Sequence, residues 1–188
     1  MQAFQFKIQI QGIEKPSVWR QVLVPAHITF DQFHQIIQTV FGWEDYHLYQ
    51  FSKSGWGSKP IYKIPDEYDN DETTQDSRTT FLSEVFTAAK QTFAYIYDFG
   101  DNWKHHITLE KIAEMETAVP VCLAGTGACP PEDCGGIPGY YNLIEILSNP
   151  KGPEYKEMKN WLGLKKNEQW EDVNAFDITA VNEELKIE

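Results

Sequence analysis

Cysteine, basic residues and long apolar runs are all scarce in this chain, and each shortage removes a class of protein. The three Cys, at 122, 129 and 134, form an odd set in 188 residues. They cannot supply the disulfide framework that braces small secreted domains, and reduced thiols are the expectation. Lys and Arg number 16 against 28 Asp and Glu, giving a formal net charge of -12. An acidic chain is repelled by phosphate backbones at long range, which disfavours direct nucleic-acid binding. The nearest approach to a basic cluster is Lys165–Lys166 with the scattered Lys151, Lys156 and Lys159, a pattern of ordinary helix surface. No apolar run approaches the ~20 residues that a membrane-spanning helix needs. Met1 to Ile10 alternates apolar and polar residues, without the hydrophobic core and cleavage site of a signal peptide. A cytoplasmic protein without a membrane partner is expected. Phosphate-binding, dinucleotide-binding, G-x-S-x-G and H-E-x-x-H motifs are absent too, so no complete catalytic signature is in place.

Aromatic residues, by contrast, are abundant. They make up 14% of the chain within an apolar total of 41%, enough for a real core and incompatible with disorder throughout. The length fits one domain spanning residues 1–188. Phe4, Phe6, Ile8 and Ile10 alternate with polar residues, the period of a half-buried strand. A second strand is expected from Val18 to Val24, with Gly12 to Pro16 as the turn. Thr29 and Gln32 have capping-box spacing, and Phe33, Ile36, Ile37, Val40 and Phe41 follow at helical intervals before Gly42. Further strands are expected at His47–Phe51 and Pro60–Ile64. A polar, acidic stretch at about 66–78 lacks the turn glycine of an EF-hand and reads as a solvated, mobile loop. A short helix is expected around Phe81–Phe86.

Phe93–Phe99 and Trp103–Glu110 bracket Gly100-Asp101-Asn102, which predicts a β-hairpin. A long Pro- and Gly-containing loop is expected at about 113–137, of the kind that is either functional or disordered. Helices follow at about Pro138–Leu147 and Pro153–Leu162, with Gly163 placed to stop the second. The fold class is α+β: a mixed sheet opening with a ββαβ, possibly β-grasp-like, unit, then a β-hairpin and a helical C-terminal third.

Four strings carry a resemblance. They are Ser17-Val-Trp-Arg20 with Val24-Pro25, Phe41-Gly-Trp-Glu-Asp-Tyr-His-Leu-Tyr-Gln-Phe51, Tyr95-Ile-Tyr-Asp-Phe-Gly-Asp-Asn-Trp-Lys-His105, and Cys129-Pro-Pro-Glu-Asp-Cys-Gly-Gly136 with Gly139-Tyr140. Together they resemble the plasmid pRiA4b ORF-3-like family, also labelled an insertion-element passenger group. The likeness covers nearly the whole chain and implies one bacterial, plasmid-borne α+β domain. It implies no mechanism.

The residues that could carry chemistry lie in these strings. In the second hairpin strand, Trp103, His105, Ile107 and Leu109 share one face, which puts His105 on the apolar side. One reading makes His105 a core histidine with a satisfied ring N–H, and Asp98 or Asp101 a turn residue that bonds backbone amides. The other joins His47, His105, Asp98 and Asp101 at one end of the sheet, where imidazole and carboxylate could bind a divalent metal or act as a general base. Cys129 and Cys134 have C-x4-C spacing, within the zinc range, but no second Cys pair exists, which favours a structural loop. Glu132 and Asp133 could turn their charge toward a cleft or complement the positive end of the next helix. Trp43 and Trp103 are candidate cleft walls, and Trp56, between two glycines, is the tryptophan most expected to be exposed.

Three functional expectations follow. The favoured one is a non-enzymatic binding module with an aromatic and acidic cleft of Trp43, His47, Asp98, Asp101, Trp103, His105, Glu132 and Asp133. It would take a protein or small-molecule ligand with cationic or amide groups. The second is a metal-dependent hydrolase using His47, His105 and the neighbouring carboxylates, with Cys129 and Cys134 as further candidate metal ligands. The third, implied only by the resemblance, is an accessory role in transposition or plasmid maintenance through a protein partner.

Overall fold

Alternation at the N-terminus builds the middle of one large sheet. The computed structural model describes residues 1–67, 71–170 and 175–187. Strand β1 (Gln2–Glu14) pairs antiparallel with β2 (Ser17–Pro25), and Phe4, Phe6, Ile8 and Ile10 all point into the core. The turn is tighter than expected, because pairing continues to Glu14 opposite Ser17. Helix α1 (Phe30–Phe41) carries the expected capping box, with Thr29 accepting from the Gln32 amide at 3.1 Å, and ends on left-handed Gly42 (φ 84°). Its apolar face lays Phe33, Ile37 and Val40 on the sheet, each such side chain contributing about 2 kcal/mol by burial.

β3 (Tyr49–Ser52), β4 (Ile61–Lys63), β5 (Thr74–Asp76), helix α2 (Leu82–Val85), β6 (Thr92–Tyr97), β7 (Trp103–Glu114) and β8 (Val121–Thr126) follow. The eight strands form one mixed sheet in the order β5-β4-β3-β6-β7-β1-β2-β8. The ββαβ order opens the chain, yet β3 does not join the first hairpin; β6 and β7 lie between. The hairpin predicted around Gly100 is β6–β7, paired from Thr92 opposite Thr108 to Tyr97 opposite Trp103. Helices α3 (Gly136–Ser148), α4 (Tyr155–Trp161) and α5 (Ile178–Glu184) complete the described α+β fold, with Asp177 capping α5 through the amides of Thr179 and Ala180.

Two expected loops contain strands instead. The acidic stretch supplies β5, which pairs parallel with β4, and its charges find bases close by: Asp71 bonds Lys59, and Asp76 holds Arg78 at 2.7 Å. Asp69 of that stretch lies outside the described residues. In the 113–137 stretch, β7 runs on to Glu114 and Val121–Thr126 forms β8 against β2. Both segments are short on apolar alternation, so only the open edge of the neighbouring strand turns them into β-structure.

Candidate functional site

Period-two alternation places Val18, Arg20, Val22 and Val24 on the same buried face of β2. Arg20 is therefore a core residue, 2% exposed. Its guanidinium donates to the carbonyls of Val40 (2.7 Å), Trp19 (2.9 Å), Thr126 (2.8 Å) and Gly127 (3.1 Å). The rings of Phe41 and Phe176 lie 5.0 and 4.2 Å from its centre. Burial pushes its pKa down. The Ser-Val-Trp-Arg string thus clamps the end of α1 to the start of the Cys129 loop; the alternation of β2 puts Arg20 on the buried face but does not name these partners.

The other three strings meet at the end of the β6–β7 hairpin. Trp43 Nε1 donates to the Pro130 carbonyl at 3.0 Å. The Glu44 amide (3.1 Å) and the Tyr97 hydroxyl (2.9 Å) both donate to Glu132 Oε1. The Gly135 amide donates to Asp101 Oδ2 at 3.0 Å. A Cβ on Gly136 would sit 2.4 Å from the Asp101 carbonyl oxygen, so this close approach of loop to hairpin needs glycine. Asp98 (φ 52°) and Asp133 (φ 55°) both take the left-handed conformation that Asp tolerates better than most residues.

His47 stands where these segments converge. Its Nε2 lies 3.2 Å from Asp133 Oδ1, 3.7 Å from Asp98 Oδ2 and 3.9 Å from Glu132 Oε2. Asp98 is 7% exposed, and its Oδ1 accepts from the Gly100 amide at 2.8 Å, the turn role expected of it. Burial raises the pKa of Glu132, outweighing the stabilising contacts from the Glu44 amide, Tyr97 and His47. Among the described residues, no Lys or Arg forms an ion pair with Asp98, Glu132 or Asp133.

Not every candidate reaches this place. His105 and Trp103 are fully buried. His105 packs against Phe41, Trp43 and Tyr95 with ring centroids 5.1–5.2 Å away, and its Nδ1 pairs with the Trp103 carbonyl at 3.0 Å. Burial lowers its pKa to about 3. It is the core histidine of the first reading, because α1 covers the face of β7 on which it lies. Asp101 is committed to the Gly135 loop. Burial pushes the Cys134 thiol up to about 12 and the Cys129 thiol well above its usual range, so neither is a ready thiolate. Trp56 is 51% exposed, as expected.

The sequence reading passed over His34, which stacks on Tyr49 at 3.7 Å. Its Nε2 pairs with Asp45 Oδ1 (2.8 Å) and its Nδ1 with the Tyr95 hydroxyl (2.8 Å), which also accepts from Gln38 (2.9 Å). Burial would raise the Asp45 pKa, but hydrogen bonds from His34 and Gln35 outweigh it and leave the carboxyl below its ordinary range. The signal was present: His34 lies one turn before Gln38 on the buried face of α1.

Behind Glu132 opens a cleft of about 530 Å³ between the end of α1, the Cys129–Glu132 segment, α4 and α5. Aromatic walls come from Trp43, Trp161 and Phe176, and carboxylates from Glu44, Glu132, Asp177 and Glu184.

The chain as a whole is similar to known proteins. Residues 2–184 match the family described as plasmid pRiA4b ORF-3-like protein. The chain belongs to that family. It is 36% identical over 158 residues to uncharacterized protein y4hQ of Sinorhizobium fredii, covering 84% of this chain and 79% of that one. The crystal structure of MM3350, a protein of unknown function from Methanosarcina mazei, superposes with a TM-score of 0.78 at 32% identity. The match covers 95% of this chain and 96% of that one. Within this pRiA4b ORF-3-like chain the four strings that carried the resemblance are those that pack around Arg20, Trp43 and Glu132. Among the described residues, no helix is long and apolar enough to cross a membrane.

Proposed function

We propose that this protein is a non-enzymatic binding module whose cleft accepts a cationic side chain from a basic peptide segment of a partner protein. One observation carries the reading. Glu44, Glu132, Asp177 and Glu184 share the cleft with Trp43, Trp161 and Phe176, while the lining base, Arg20, is spent on backbone carbonyls. A cation entering there meets carboxylates and aromatic faces together, each of which favours it. The volume of about 530 Å³ is in the range of small-ligand sites and would hold the end of a lysine or arginine side chain with its neighbours.

The test is calorimetry and tryptophan fluorescence with a Lys/Arg-rich nonapeptide, against a Glu-rich peptide of equal length. Saturable binding of the basic peptide alone is expected. Trp161 is 52% exposed on the rim, so Trp161→Ala leaves the fold intact and removes one cation–π face, weakening binding roughly 5- to 30-fold. No saturable response up to about 1 mM, or an equal response to the acidic peptide, overturns the proposal.

A further inference from the structure

We infer that His47, Asp98 and Asp133, with Glu132 beside them, form a binding site for a divalent metal ion of intermediate hardness, Mn²⁺ or Zn²⁺. The inference is independent of the cationic cleft, with which it shares only Glu132.

The geometry comes first. One ligand atom each from His47, Asp98 and Asp133 lies within 4.8 Å of the other two. Ligands held at about 2.1 Å from one ion stand up to roughly 4.2 Å apart, so small side-chain rotations suffice to close the shell. The three residues come from different segments: His47 precedes β3, Asp98 follows β6, and Asp133 sits in the loop before α3. The fold, not a local motif, gathers them.

The second observation is the set of donor atoms left without partners. His47 Nε2 and Glu132 Oε2 are shielded from solvent and hydrogen-bond to nothing among the described residues. Nε2 lies 3.7 and 3.9 Å from Asp98 Oδ2 and Glu132 Oε2, too far for a hydrogen bond, and the 3.2 Å contact to Asp133 Oδ1 is not aligned as one. Asp98, more than nine-tenths buried, spends Oδ1 on the Gly100 amide and turns Oδ2 toward His47 without a hydrogen bond. Buried polar atoms normally find partners, and an unpaired buried carboxylate is costly. A cation between these atoms satisfies all of them at once. Among the described residues, no Lys or Arg provides that charge by ion pairing.

The chemistry selects the ion. One imidazole with two or three carboxylates is too hard a set for Cu⁺ and includes a nitrogen that Mg²⁺ and Ca²⁺ use poorly. Second-sphere support is present on the Glu132 side, whose Oε1 is held by Tyr97 and the Glu44 amide. Asp133 is 69% exposed at its side chain, which leaves the site an open approach from solvent.

The experiment uses full-length protein without a His-tag, stripped with chelator, dialysed, and titrated with MnCl₂ and with ZnSO₄. Calorimetry is combined with Mn²⁺-induced broadening of amide signals. One saturable site is expected, with broadening centred on His47, Asp98 and Asp133. The exposed Asp133→Asn and the half-buried His47→Ala variants should each weaken it at least 10-fold, and Cys134→Ser should leave it unchanged. If no saturable binding appears below about 1 mM, the inference fails. It fails equally if binding survives in both His47→Ala and Asp133→Asn. Both variants should keep the amide spectrum of the folded protein and bind the basic peptide as before, which separates this result from the fate of the cleft proposal.

Discussion

A His105→Phe substitution removes a titrating group from the middle of the aromatic core and puts a slightly larger planar ring in its place. The folded protein holds His105 neutral because protonation would place a charge among Phe41, Trp43 and Tyr95, out of reach of water. Its folded pKa is about 3, against about 6.5 in an unfolded chain. Between those values the unfolded state binds more protons than the native state, so stability falls as pH falls. The loss begins below about pH 6.5, runs at about 1.4 kcal/mol per pH unit, and levels off near the folded pKa. From pH 7 to pH 5 this one group removes roughly 2 kcal/mol. Urea unfolding followed by tryptophan fluorescence, on both proteins at both pH values, gives the double difference, in which all other titrating groups cancel. The variant should lose about 2 kcal/mol less than the parent on acidification. A double difference under about 0.5 kcal/mol would refute the reasoning. A ¹⁵N spectrum of the parent provides a check that does not depend on how the variant folds: the His105 ring should remain neutral at pH 5, with the proton on Nδ1, the atom paired to the Trp103 carbonyl.

Two further substitutions test the packing that gathers the site. Arg20→Met leaves the carbonyls of Val40, Thr126 and Gly127 without their buried donor and should cost about 3 kcal/mol or more in urea unfolding; a loss under about 1 kcal/mol would mean that the clamp is dispensable. Gly139→Ala would set a Cβ 1.8 Å from the Cys134 carbonyl oxygen. The first turn of α3 must then shift, at about 2 kcal/mol, and a variant melting with the parent would show that this contact relaxes freely.

The relation of sequence to structure differs from element to element. Helix α1 and the β6–β7 hairpin were legible because their signals are local: a capping box, a 3.6-residue period, and two β-rich runs around Gly-Asp-Asn. β5 and β8 carry no such signal. Each forms because a neighbouring strand offers an unpaired edge, and three or six residues of polar or glycine-containing chain are enough to fill it. Arg20 shows a signal that was present and unread. Its position in the alternation of β2 already put it on the buried face, but an arginine there makes sense only once four carbonyl groups are known to surround it.

The same division runs through the candidate site. The sequence by itself determined the residue types, the acidic balance, the single α+β class and the four strings that identify the family. Period two was enough to put His105 on the apolar face of its strand. Only the tertiary structure decided that α1 seals that face, which makes His105 core, and that His47 turns to Asp98, Glu132 and Asp133 instead. Glu44 and Glu132 touch across 88 residues of chain, and Trp43 and Pro130 across 87. Contacts of that separation are fixed by the order of strands in the sheet and by the buried clamp of Arg20. Local periodicity gives at most the face on which a residue such as Arg20 lies, not its partners, because each contact depends on the surface that another part of the chain presents.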